Sequence, residues 1–139
     1  MTKITKKEKL AKQIAKRKEK RLNSPKRLKT ELDRVFSLYI RQRDKVCRRC
    51  GINQNLQCSH IMSRVSQNLR WDERNAMALC YKCHLTWWHK EPLEAAEWCK
   101  TIIGEEAYKS LLKEKYEIKQ WAIQELRDLI LKYDKRIYR

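Results

Sequence analysis

The sequence predicts a small α+β domain in which helices flank a short β-hairpin, preceded by a basic arm. Two cysteine pairs, Cys47-x2-Cys50 and Cys80-x2-Cys83, stand in the middle of the chain. Apolar residues recur at helical spacing before and after them, and two short strand-like runs lie between the pairs. The charge is uneven as well. Residues 1 to 90 hold 24 Lys/Arg against 7 Asp/Glu, whereas residues 91 to 139 hold 10 of each. The whole net charge of +17 therefore sits in the first two thirds of the chain.

Taken in order, residues 3 to 29 carry 13 Lys/Arg and 2 Glu, with Ile4, Leu10, Ile14 and Leu22 as the sizeable apolar side chains. That is too little apolar surface to build a core, so residues 1–29 read as a disordered basic arm that becomes helical when laid on phosphates. A solvated tail without a role is the alternative. Asn23-Ser24-Pro25 reads as a break. Leu32, Val35, Phe36, Tyr39 and Ile40 then mark an amphipathic helix over about residues 31 to 44. Strands are expected at 56–62 and 76–79, joined by a polar loop, and a helix over 81–90. Pro92 suits a first helical position and Gly104 a terminal cap, which bounds a further helix. Residues 105 to about 136 give one or two helices, with Tyr108, Leu111, Leu112, Leu126, Leu129, Ile130 and Tyr133 on an apolar stripe. The expected organisation is an arm (1–29), a central module (30–104) and C-terminal helices (105–139).

Composition narrows the partner. A charge confined to one region suggests a polyanion, and nucleic acid is the one compatible with the cysteines. No apolar leader and no run of about 18 apolar residues is present, so a cytoplasmic protein without a membrane partner is expected. Six cysteines in such a chain favour metal over disulfides. Cys47, Cys50, Cys80 and Cys83 can supply four thiolates to a structural, tetrahedral Zn2+, with Gly51 giving the first knuckle its backbone freedom. Cys99 reads as a packing residue. Trp87, Trp88 and Trp98 also read as packing residues of a thin core rather than base-stacking platforms.

The stretch between the pairs is longer than a plain zinc ribbon has, and it contains His60 and Asn75, with His84 directly after Cys83. Cys47-Arg-Arg-Cys50, Leu56-Gln-Cys-Ser-His60 and Asn75-Ala-Met-Ala-Leu-Cys80-Tyr-Lys-Cys83-His84 resemble the HNH endonucleases of the ββα-metal fold. More narrowly, Tyr39-Ile-Arg41-x-Arg43-Asp44, His60-x3-Arg64 and Leu69-Arg70-Trp71-Asp72 look like the phage NinG/Rap recombination nucleases. The resemblance implies a zinc-stapled ββα-metal HNH module that hydrolyses DNA with Mg2+ or Mn2+, in host cytoplasm and on branched DNA if the phage subtype holds. It implies His60 as general base, His84 as ligand of the catalytic ion and Asn75 as the residue that shapes the hairpin. Arg64 and Arg70 are candidates to clamp phosphate, and Arg41, Arg43, Arg48 and Arg49 for further DNA contact.

One position departs from the pattern. Most HNH sequences carry Asp or His just before the general base, as a second metal ligand; here it is Ser59. Either His84 holds the ion with water and DNA phosphates, or Cys58 or His89 completes the site. On an ideal α-helix His89 points about 140° away from His84, which disfavours it. Two other readings remain: a non-catalytic zinc-ribbon protein that binds nucleic acid, and an RNA- or ribosome-associated protein. The C-terminal apolar stripe is the candidate surface for a homodimer, unless it packs back on the zinc module.

Overall fold

A computed structural model describes residues 4 to 137. Among the described residues the chain forms five α-helices and a two-stranded antiparallel sheet. They are α1 (Lys6–Leu22), α2 (Pro25–Asp44), α3 (Pro92–Ile103), α4 (Glu105–Glu114) and α5 (Ile123–Ile137), and the strands are β1 (Leu56–His60) and β2 (Ala76–Cys80). Among the described residues, no helix is long and apolar enough to cross a membrane.

The N-terminal segment differs from the arm that composition suggests. It is a formed helix, closed by a capping box in which Thr5 Oγ1 accepts from the Glu8 backbone and Glu8 reaches back to the Thr5 N–H. Its scarcity of apolar surface does show in one respect: α1 buries no described side chain. The second helix also starts six residues earlier than periodicity indicates. Ser24 is its N-cap and Pro25 its first-turn proline, so the supposed break is a helix start. The division at residue 29 therefore falls inside α2.

Register decides which residues share a face. Leu56 pairs with Cys80, Cys58 with Ala78, Ser59 with Met77, and His60 with Ala76. Cross-strand partners project to the same side. One side carries Cys58, His60 and Ala76 towards α2, where Leu28, Leu32, Val35, Phe36 and Ile40 form a core with Trp71, Leu126 and Tyr133. The other side carries Gln57, Ser59, Met77 and Leu79 towards the cysteines and α3, whose Cys99 is fully buried. Trp87, Trp88 and Trp98 pack edge-on or tilted against one another over this second core.

The apolar stripe of the C-terminal helices is covered from within the chain. Leu126 and Tyr133 of α5 are buried against α2, with Tyr133 edge-on to Phe36 and its hydroxyl donating to the Trp71 carbonyl at 2.6 Å. Leu111 of α4 packs instead beneath the loop, with Met62 and Leu69. Leu112 does not join the stripe and is exposed.

Candidate functional site: a thiol cluster beside a histidine cleft

The thiol cluster follows from two tight turns brought together by the hairpin. After Cys47 the chain folds back through Gly51, whose φ of +79° is a left-handed conformation that glycine adopts without strain. Gly51 N–H donates to the Cys47 carbonyl at 2.9 Å, and Cys47 N–H to the Ile52 carbonyl at 2.7 Å. Arg48 N–H donates to the Ala78 carbonyl, which ties the knuckle to β2. The sulfurs of Cys47, Cys50, Cys80 and Cys83 all lie within 4.8 Å of one another. Four thiolates around zinc at about 2.3 Å would have sulfurs roughly 3.75 Å apart. Cys50 and Cys80 stand at 3.7 Å, so the cluster fits Zn2+. Burial and hydrogen bonds with neighbouring thiols push the Cys83 thiol up to about 12, against a pull from Arg49. Against its burial, backbone hydrogen bonds from Cys50, Cys80 and Arg49 pull Cys47 down to about 7, so one sulfur ionises readily while Cys83 needs a cation beside it.

Beyond the cluster, a cleft of about 680 Å3 opens between α2 and the segment after β2. His60, Arg64, His84 and His89 line it, with Asp33 and Cys58. His60 ends β1, half-buried, with its ring stacked on Phe36 at 6.0 Å between centroids. Its Nε2 lies 2.9 Å from the Arg70 carbonyl. A carbonyl only accepts, so Nε2 carries the hydrogen and Nδ1 keeps a lone pair. Burial, helped by the nearby Arg64 and Arg70 charges, lowers the His60 pKa from its ordinary 6.5 despite that hydrogen bond.

Asn75 is fully buried under the loop from 61 to 75. Its Oδ1 accepts from Met62 N–H at 2.7 Å, and its Nδ2 donates to the Met62 and Leu69 carbonyls at 2.9 and 3.1 Å. Its own carbonyl accepts from Ile61 N–H at 2.8 Å. One amide therefore fixes the start and the far end of the loop that presents Arg64 and the Arg70 carbonyl.

The segment expected as an α-helix over 81–90 is π-helical over Cys83–Trp88, with His89 N–H donating to the His84 carbonyl at 3.3 Å. That i to i+5 bond widens the turn and brings residues five apart onto one face. His84 and His89, divergent on an α-helix, meet with Nε2 atoms 3.0 Å apart and ring centroids at 4.5 Å. Gln57 Oε1 accepts from His84 Nδ1 at 2.5 Å, so His84 Nε2 is the acceptor of the hydrogen bond from His89 Nε2, whose proton a bound ion would replace. Burial, with His89 and His60 nearby, lowers the His84 pKa to about 4 and keeps the ring neutral. Two imidazole nitrogens at about 2.1 Å from an octahedral ion, in adjacent positions, would sit roughly 3.0 Å apart. The pair can hold a divalent ion.

The other candidate positions differ in what they reach. Ser59 is fully buried on the Gln57 face, and its hydroxyl has no hydrogen-bond partner among the described residues. Cys58 faces α2, and burial pushes its thiol up to about 12. Arg64 is 62% exposed and only loosely paired with Asp33 at 3.9 Å, so its guanidinium can turn into the cleft. Arg70 is held by Asp33 through two bonds of 3.0 and 2.5 Å; what it offers the cleft is its carbonyl. Arg43 is engaged with Asp44 and with the Glu73 and Ala76 carbonyls, so it braces α2 against the hairpin. The guanidinium groups of Arg43 and Arg70 are thus occupied inside the fold, a long-range commitment that residue type does not reveal. Arg41 is half-buried and donates to the Ser37 carbonyl, Arg48 lies 3.7 Å from Asp44, and Arg49 stacks on Trp87 at 3.8 Å. None of Arg41, Arg43, Arg48 and Arg49 lines the cleft.

Comparison with known proteins meets this geometry at one point. The family model of HNH endonucleases matches residues 47–87. The matched HNH segment holds both cysteine pairs, His60, Asn75 and His84, and ends two residues before His89. An HNH match supports nuclease activity with metal binding and DNA as substrate. No curated protein and no solved structure matches the chain.

Proposed function

We propose that the protein is a metal-dependent HNH endonuclease that hydrolyses DNA phosphodiester bonds in the cleft between α2 and the π-helical turn. The observation that carries this is the convergence of His60, His84 and His89 on one open cleft beside a closed thiol cluster. A structural zinc site fills every position with protein, whereas a catalytic site leaves positions open to water and substrate.

The roles follow from the ring nitrogens. His60, with Nε2 held by the Arg70 carbonyl, offers Nδ1 to take a proton from the attacking water. His84 and His89 would hold Mg2+ or Mn2+ through their ring nitrogens, with Gln57 fixing the His84 ring. That ion, when bound, supplies positive charge for the phosphate and the leaving oxygen. Arg64 is the side chain free to swing onto the phosphate. Asn75 holds the loop that carries these groups. In this assignment His89 stands in for the ligand missing at position 59.

A role in phage recombination and a preference for branched DNA belong to the same proposal and rest on the NinG-like residues alone. A dimer would need a surface other than the Leu126–Tyr133 stripe, which α2 already covers. The experiment is cleavage of supercoiled plasmid and of branched DNA with Mg2+ or Mn2+, against EDTA, for the wild type and His60→Ala. Metal-dependent cutting is expected, with His60→Ala slower by about 10² to 10⁴-fold at unchanged zinc content. If the pure wild type cuts no DNA form with metal present, the chain is a zinc-stapled binding protein instead.

A further inference from the structure

α1 is a helix without a core to belong to. All of its described side chains are exposed, yet it forms, through its capping box, Glu8 in the first turn and Lys20 and Arg21 in the last. Its 17 residues carry nine Lys/Arg and two Glu. At 100° per residue, Lys6, Lys9, Lys12, Lys16, Arg17 and Lys20 fall on an arc of about 140°. Like charges three and four residues apart repel along a helix face. A surface of opposite charge relieves that repulsion.

Its placement is constrained at one end. Arg127 of α5 donates to the Leu22 carbonyl at 2.7 Å and also to the Asn23 side chain. α2 starts at Pro25, and Asp33, on the cleft wall, lies about 12 Å further along that helix. The rest of α1 projects for roughly 25 Å, the length of about seven base pairs of duplex.

We infer that α1 is a second DNA contact, a preformed basic helix that lies on the phosphates of duplex flanking the cleft. It thereby sets how much duplex the enzyme needs. The inference rests on the nuclease reading for its substrate but concerns a different surface. A second copy of the chain is the other occupant to consider, through Ile4, Leu10, Ile14 and Leu22, which are each about half exposed. Lys7, Lys18 and Arg21 lie within that apolar arc and would be desolvated by a partner helix, which favours DNA.

The test replaces Lys9, Lys12, Lys16 and Lys20 together by Gln in the full chain, which keeps helix formers at each position. Binding is read by fluorescence anisotropy in EDTA on duplexes of about 30 and about 12 base pairs across a salt series. Cleavage of both is read with Mn2+. On the long duplex, the slope of log K against log[salt] is expected to become shallower by about 3 to 4, at roughly 0.9 for each phosphate that the helix no longer neutralises. KM should rise on the order of tenfold or more while kcat holds, and the short duplex should respond much less. An unchanged slope and KM on the long duplex would overturn the inference. So would unchanged DNA binding in a Leu10→Ser/Ile14→Ser variant that sediments as monomer where the wild type is a dimer, if the Gln variant also binds normally. Failure of the nuclease reading looks different: no cleavage by wild type with metal, whatever the salt slope.

Discussion

The thiol cluster and the histidine cleft are built on one hairpin, and as places for a cation they are finished to different degrees. Four sulfurs within 4.8 Å of each other leave zinc no free position. Two imidazole nitrogens at 3.0 Å leave an ion mostly open. With zinc bound, the first arrangement would hold the chain together, and the second would leave room for water and phosphate. On the proposed function, the difference teaches that ligand number, more than ligand type, would separate the part that folds the protein from the part that does its chemistry.

The strongest way to break the comparison is Cys80→Ser. With three thiolates left, zinc binding and much of the folding free energy should go together, so the variant should lose its cooperative melt and its zinc, measured by calorimetry and metal analysis. A zinc-free variant with a wild-type melt would refute the division. Next in size is Asn75→Ala, which strands the Met62 N–H and the Met62 and Leu69 carbonyls in a buried setting. It should cost about 3 kcal/mol in denaturant unfolding and also lower cleavage, because the loop carrying Arg64 and the Arg70 carbonyl loosens. Loss of cleavage at full stability would mean that Asn75 acts on substrate directly.

Two smaller effects sharpen the cleft side. Gln57→Ala should raise the Mn2+ concentration for half-maximal cutting by about 10- to 100-fold, with zinc retained, and His89→Ala by at least as much. Equal metal dependence in His89→Ala and wild type would remove His89 from the site. Finally, burial depresses the His60 pKa, so the neutral ring persists to lower pH than a free imidazole. The rising limb of the pH–rate profile should therefore have its midpoint below 6.5. The stability sign is the matching one: as pH falls through 6.5 the unfolded chain takes up a proton before the folded chain does, so stability drops on acidification. A limb centred above 6.5 would assign the base elsewhere.

How much of this was legible in the sequence differs between the two regions for the same reason that they differ in design. The cluster is written in local spacing: two short knuckles and a glycine say nearly everything. The hairpin, the proline and glycine bounds of α3 and the packed tryptophans are also local signals. His89 was a disfavoured candidate because an α-helical wheel turns it away, and the i to i+5 bond returns it to His84. Arg43 and Arg70 read as free cations until Asp44 and Asp33 are seen beside them. The partner of α5 was open between a second chain and the module itself, since a stripe says that it will be covered but not by what.

The pairing of α2 with α5 also sets an order in time. The hairpin and knuckles are complete in sequence by about residue 90, and zinc can close them while the rest of the chain is still being made. Leu32, Val35 and Phe36 of α2 gain their cover only when Leu126 and Tyr133 arrive. Contacts between such distant segments form late, because a long loop must close before they contribute. During that interval the nascent chain presents an apolar helix face next to a basic segment, the kind of surface on which chaperones and aggregation compete. A chain ended between α4 and α5 would carry the complete hairpin and knuckles with its α2 core uncovered.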